Sequence, residues 1–315
     1  MRAWAMVAAL LLAGCLPQPT TPRKSVVATF YPLYELARQV GGDRVEVRQL
    51  VPSGAEVHDY EPTPGDLARL RQAAVFVYNG AGLERWVSKL EGELPAGAVR
   101  VEATRGLPLI RAEAELHEHG HGHESGHGHE PGRTEQLDPH VWLDPVLAQA
   151  VVDNIADGLV QADSAGEASY RRRALDAKQR LEQLHHRYQR ALARCRTRVL
   201  LTSHAAFGYL ARRYGLRLVS VAGANPEAEP SPRRLRQLVA LARQEGVRAV
   251  FAESRGAHRT AESLARELGV PVRALDPLEV GPRPGQDYFR RVEANLEQLA
   301  EGLDCQTPEP AGGGR

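Results

Sequence analysis

What this chain lacks narrows its function before any motif is read. Charge of one sign is missing: 40 Lys and Arg stand against 39 Asp and Glu, a formal net charge of +1 in 315 residues. Nucleic-acid binding needs a concentrated basic field, so this balance argues against it. The basic residues are nearly all arginine, a skew that reads as genome composition or a hot habitat. Cysteine is scarce, three in all, and no two are close enough for a Cys-x-x-Cys metal or redox motif. A Gly-x-x-x-x-Gly-Lys-Ser/Thr phosphate loop is absent, so any ATP-driven step belongs to a partner. Long hydrophobic runs are also missing. The apolar stretch at 3–13 falls short of the about 20 residues that a bilayer-spanning helix needs.

What is present at the N-terminus is an export signal. Arg2 precedes that apolar stretch, which ends in Leu12-Ala13-Gly14-Cys15, and Pro17, Pro19 and Pro22 follow. This fits the apolar region of a signal peptide ending at small residues. Leu-Ala-Gly-Cys resembles a bacterial lipobox, which implies cleavage before Cys15 and its lipidation. The expectation is a signal peptide at 1–15, a linker at 16–24, and a periplasmic or cell-surface lipoprotein anchored to the membrane. Export means an oxidising compartment. Cys195 and Cys305 then form either a disulfide or two free buried thiols.

Hydrophobic content of 43% and charged content of 25% suit a soluble globular protein of one large or two modest domains. Short β-rich runs alternate with helical segments, the pattern of βα units on a parallel sheet. Strands are expected at 26–30, 45–51, 74–78 and 99–101, then at 199–202, 216–221, 247–252 and 272–275. Thr63-Pro64 and Ser231-Pro232 place a capping side chain before a proline at the first helical position. Gly246 and Gly269 stand where helices end. Between the halves, Ala174, Ala177, Leu181, Leu184, Tyr188, Ala191 and Cys195 step by three and four, and 167–194 hold no Gly or Pro. Such a helix would run roughly 40 Å. The four-plus-four pattern favours an α/β chain of two lobes, 25–166 and 195–305, over one larger sheet. Each lobe carries a four-stranded parallel sheet, the helix at 167–194 joins them, and 306–315 form a disordered tail.

Within the first lobe, His117, His119, His121, His123, His127 and His129 alternate with Gly and Glu. This segment cannot build a core, and its composition points to a mobile loop that captures metal weakly. A cloning tag would sit at a terminus and lack this interleaving.

Four polar blocks follow strands or long loops, where open α/β sheets place ligand sites. They are His58-Asp59-Tyr60-Glu61-Pro62-Thr63-Pro64, Asp138-Pro139-His140-Val141-Trp142-Leu143-Asp144-Pro145, Ser203-His204-Ala205-Ala206-Phe207-Gly208-Tyr209-Leu210, and Asp276-Pro277-Leu278. One histidine near a strand end is more often a packing residue than a ligand. Four such exits, two per half, each with an imidazole or carboxylate, make the donor set of zinc and its neighbours.

In combination these blocks resemble the periplasmic zinc and manganese solute-binding proteins of ABC importers, the ZnuA/TroA-like family, from residue 26 to about 303. Glu229-Pro230-Ser231-Pro232 also fits that family's second-lobe pattern. The resemblance implies two lobes bridged by a single long helix, with the metal in the cleft between them. It implies His58 and His140 as ligands from the first lobe, with His204 and Asp276 from the second. Glu253, in Phe251-Ala252-Glu253, matches an acidic position that would orient an imidazole from behind. The chain departs from zinc members that carry an acidic residue beside the first histidine: Val57 precedes His58, and Glu56 lies one further back. The fourth position therefore stays open between Asp276, a water, and exchange between them. His185 and His186 read as solvated, and His258 as a loop residue.

The reading is a receptor, not an enzyme, that binds one zinc ion and passes it to an ABC-type permease and its ATPase. A monomer is expected. Manganese is the alternative ion, disfavoured because three imidazoles suit zinc and manganese stands lowest in the affinity order. A surface adhesin or metal store is the second alternative, and storage would predict many ions per chain. A zinc metallohydrolase is the third, but ligands dispersed over both halves suit closure around an ion better than catalysis.

Overall fold

The computed structural model describes residues 23–90, 92–112, 137–222, 230–253, 258–281 and 285–306. Cys15, the histidines at 117–129, Glu229 and the tail at 307–315 lie outside them. The first half runs β1 (Lys24–Ala28), α1 (Tyr31–Gly41), β2 (Val45–Gln49), α2 (Pro64–Leu70), β3 (Val75–Tyr78), β4 (Val99–Glu102) and α3 (Pro145–Ala162). After α4 (Glu167–Ala191) come β5 (Val199–Thr202), α5 (Gly208–Arg213), β6 (Arg217–Ser220), α6 (Pro232–Gln244), β7 (Val250–Ala252), α7 (His258–Leu268), β8 (Val272–Ala274) and α8 (Tyr288–Gly302).

The strands form two sheets, ordered β2-β1-β3-β4 and β6-β5-β7-β8, and every pairing within them is parallel. The two halves thus repeat one topology. Each of the eight expected strands is found, β5 with the expected ends and the other seven with one or both ends shifted. The run expected at 247–252 shortens to three residues because Gly246, at φ +63°, turns the chain out of α6 while the Val247 amide still bonds Ala242.

Alternation along the strands divides the apolar residues between faces. Val26, Ala28, Val75 and Val77 enter one large cluster, while Val27 and Phe76 enter a smaller one with Leu70 and Trp86 on the opposite face. In the second sheet, Leu200 and Phe251 join that same large cluster, while Val199, Leu201, Val250 and Ala252 pack with α6 and α7. The inner faces of both sheets therefore share one continuous core.

Helix α4 buries Ala174, Ala177, Leu181, Leu184 and Tyr188 of the expected stripe and adds Tyr170, but it ends at Ala191, short of Cys195. It packs against α1 and α3 of the first half and α8 of the second, a spine under both lobes instead of a bare strut. Cys195 and Cys305 are joined in a disulfide that closes the second lobe on itself. Among the described residues no helix is long and apolar enough to cross a membrane.

Candidate metal centre

The C-terminal ends of the strands in both sheets deliver side chains to a single point. His58 comes from the segment after β2, where buried Val51 and Val57 pin the backbone into the shared core. His140 precedes a short 3-10 turn, Val141–Leu143, which leads into α3 through the Asp144 N-cap and Pro145. His204 leaves β5, its carbonyl held by the Thr202 hydroxyl at 2.7 Å. Glu279 follows β8. Nitrogen or oxygen atoms of these four side chains all lie within 4.8 Å of one another.

His140, His204 and Glu279 are buried, and His58 is partly exposed. The imidazole centroids are 5.3 Å apart for His58 and His140, 5.5 Å for His140 and His204, and 6.2 Å for His58 and His204. Glu279 Oε1 lies 3.3 Å from His140 Nε2 and 3.6 Å from His58 Nε2. Tetrahedral zinc with bonds of about 2.0–2.1 Å needs donors about 3.3–3.4 Å apart, so these separations fit. His58 Nε2, His140 Nε2, His204 Nε2 and Glu279 Oε1 are all buried without a hydrogen-bond partner. Buried polar atoms are almost always satisfied, and four orphans converging on one point mark a place for a cation.

Carboxylates behind the imidazoles set their orientation. Asp138 Oδ1 accepts from the His140 backbone amide at 3.0 Å and lies 2.7 Å from His140 Nδ1, which turns Nε2 inward. Asp138 is held in turn: Tyr209 of α5 donates to its carbonyl, and a side chain at Gly208 would collide with its carboxylate. Asn79 Nδ2 donates to the Pro139 carbonyl at 3.0 Å. Glu253, after β7, contacts His204 Nδ1, which leaves Nε2 to the group.

Burial alone would lower the His140 pKa. The hydrogen bond and charge of Asp138, then the nearby Glu279 carboxylate, outweigh it and raise the pKa to about 10. His204 follows the same logic, burial opposing and Glu253 prevailing, and its pKa is raised. Glu279 would be raised by burial, but His140 and His58 hold it well below the usual carboxylate range. Glu56 accepts from the His58 amide at 3.1 Å, and burial and the Glu279 charge raise its pKa.

Three of the four residues expected as ligands meet in this geometry, and the fourth does not. His58, His140 and His204 come together as expected. Asp276 does not join them: its two carboxylate oxygens accept from Nε and Nη2 of Arg291, each at 2.9 Å. Glu279, three residues further along the same strand exit, stands in the group instead. The two carboxylates are close neighbours in sequence, and only the buried Arg291 separates their roles. His185 lies beside the Tyr214 hydroxyl and His186 beside Glu182 on α4, apart from the site. His258 begins α7, and its side chain is not among those described.

Two helix-linked α/β lobes that bring three imidazoles and a carboxylate together, half from each lobe, define a metal receptor of the solute-binding class. The family model for the zinc-uptake complex component A, periplasmic, matches residues 26–302, and the chain belongs to that family. This is a family of solute receptors and not of enzymes. Among its relatives, the high-affinity zinc uptake system protein ZnuA of Bacillus subtilis is 38% identical over 88% of this chain and 87% of its own length. The zinc-binding lipoprotein AdcA of Streptococcus pneumoniae is 35% identical over 96% of this chain, which spans only 61% of that longer relative. Among solved structures, the laminin-binding protein Lmb of Streptococcus agalactiae, described as having adhesin and metal transporting activity, aligns with a TM-score of 0.77. Its identity is 34%, over 89% of this chain and 99% of that one. The Zn(II)-bound ZnuA-like domain of Streptococcus pneumoniae AdcA aligns with a TM-score of 0.74 at 31% identity, over 90% and 100%.

Proposed function

We propose that this protein is the exported receptor of a zinc importer: it binds one zinc ion between its lobes and presents it to an ABC-type permease. The observation that carries this reading is the convergence of four buried, unpartnered donor atoms from both lobes. Zinc is favoured over manganese because nitrogen donors outnumber oxygen three to one, and because two relatives are named as a zinc uptake system protein and a zinc-binding lipoprotein. His58, His140, His204 and Glu279 act as ligands, with Asp138 and Glu253 orienting imidazoles. Attachment through a lipidated Cys15, a monomeric state and weak metal capture by His117 to His129 complete the proposal. They rest on the sequence pattern and, for the anchor, on the lipoprotein relatives.

Metal analysis of protein purified without added metal tests this reading, followed by zinc titration against a chelator. One tight zinc per chain is expected. His58→Ala, His140→Ala and His204→Ala should each weaken it by more than the about 10–100-fold that loss of an outer partner costs. Wild-type affinity in two of these variants, or preferential loading with manganese at equal free concentrations, would remove the proposal.

A further inference from the structure

Glu279 sits on a turn that is fastened from one side by α8. Leu278, just before it, has φ +65°, a left-handed conformation that residues with side chains seldom adopt. Three residues hold the chain in this shape. Asn295 brackets Asp276, accepting from its amide at 2.8 Å and donating to its carbonyl at 2.6 Å. Asp276 Oδ1 then accepts from the Leu278 amide at 2.9 Å. Arg291, only 1% exposed, donates to both Asp276 oxygens and, through Nη1, to the carbonyls of Val280 at 3.0 Å and Gly281 at 3.3 Å. Its guanidinium also lies 4.6 Å from the centre of the Tyr31 ring on α1. One rigid fork thus grips the turn before and after Glu279 and braces it against the other lobe.

A buried ion pair adds little net stability over an apolar replacement, so its use here is better sought in orientation. We propose that Asp276, Arg291 and Asn295 are positioning residues that fix the Glu279 carboxylate toward the three imidazoles before the ion arrives. This rests on the reading of Glu279 as a zinc ligand. Without the clamp the turn is free to relax from the Leu278 conformation, and the carboxylate oxygen leaves the point where the imidazole nitrogens meet.

Zinc affinity by chelator competition, with the cobalt(II) visible spectrum as a report on coordination, tests the clamp. The variants are Glu279→Gln, Asp276→Asn and Asn295→Ala, with each of the last two also combined with Glu279→Gln. Asn295→Ala leaves the Arg291–Asp276 pair intact, so it loosens the turn without stranding a buried charge. Asp276→Asn and Asn295→Ala should each weaken zinc about tenfold and move the cobalt spectrum toward that of Glu279→Gln. In the Glu279→Gln background they should change affinity by less than about twofold. Equal weakening in both backgrounds, or wild-type cobalt spectra in Asp276→Asn and Asn295→Ala, overturns the clamp and leaves Glu279 a ligand. Unchanged zinc affinity in Glu279→Gln overturns the ligand assignment itself, and the clamp with it.

Discussion

Under the proposed ligation, proton and zinc compete for one nitrogen of His140. With its pKa at about 10 in the metal-free protein, the imidazole carries a proton at neutral pH, and an arriving ion must displace it. The deprotonated ring is the form that binds, so affinity should rise with pH across the neutral range and fall in acid. Titration calorimetry at pH 7 in buffers of different protonation enthalpy should find at least one proton released per zinc. Heats independent of the buffer would contradict this. Three members of the group, the histidines, were legible in the sequence because their blocks, taken together, resemble a known family. The fourth was not, because Asp276 and Glu279 offer the same chemistry three residues apart. Arg291, which takes up one of them, lies fifteen residues beyond Asp276 on another element.

At the scale of elements, the connection from His58 to α2 is built on a local cap. Thr63 accepts from the Asp66 amide, and the Asp66 carboxylate returns to the Thr63 amide at 2.8 Å, a capping box. The same carboxylate also takes the hydroxyls of Thr63 and Tyr60, each at 2.6 Å, and Arg69 at 2.9 Å. Burial would raise the Asp66 pKa, but these donors outweigh it and hold the carboxyl below its ordinary value. A depressed carboxyl contributes its full stability above the unfolded value of about 3.9 and loses it as pH falls through the lower folded value. Asp66→Ala should therefore cost about 1–2 kcal/mol in urea denaturation near neutrality, with the gap to wild type closing below about pH 4. A gap that persisted in acid would count against the cap. This start was readable from Thr63-Pro64 alone, as was the α4 stripe, because capping and helical periodicity are local. The ends of β7 were less so, because the path out of α6 decides where pairing begins.

For the whole molecule, the second lobe is sealed where it begins and ends. The disulfide joins Cys195 to Cys305 across 110 residues of chain, and closing so long a loop restricts the unfolded chain strongly. Cys305→Ser should lower the denaturation free energy of the metal-free protein by about 2–4 kcal/mol, measured under non-reducing conditions. An unchanged midpoint would show that the bond contributes nothing. Between the lobes, Trp142 Nε1 donates to the Pro277 carbonyl at 2.8 Å, Tyr288 donates back to the Trp142 carbonyl, and Arg213 pairs with Asp144. The Asp138–Asp144 segment that carries His140 is thereby bound to the opposite half. The sequence by itself determined the eight strands, the long helix, three histidines of the site and the family, since each is written in local period, capping or block motifs. Tertiary structure alone decided that the two sheets share one core, that Asp276 belongs to Arg291, and that Glu279 faces the histidines. Those outcomes depend on which distant groups meet in a low-dielectric interior, where an unpaired charge costs too much to stay unpaired.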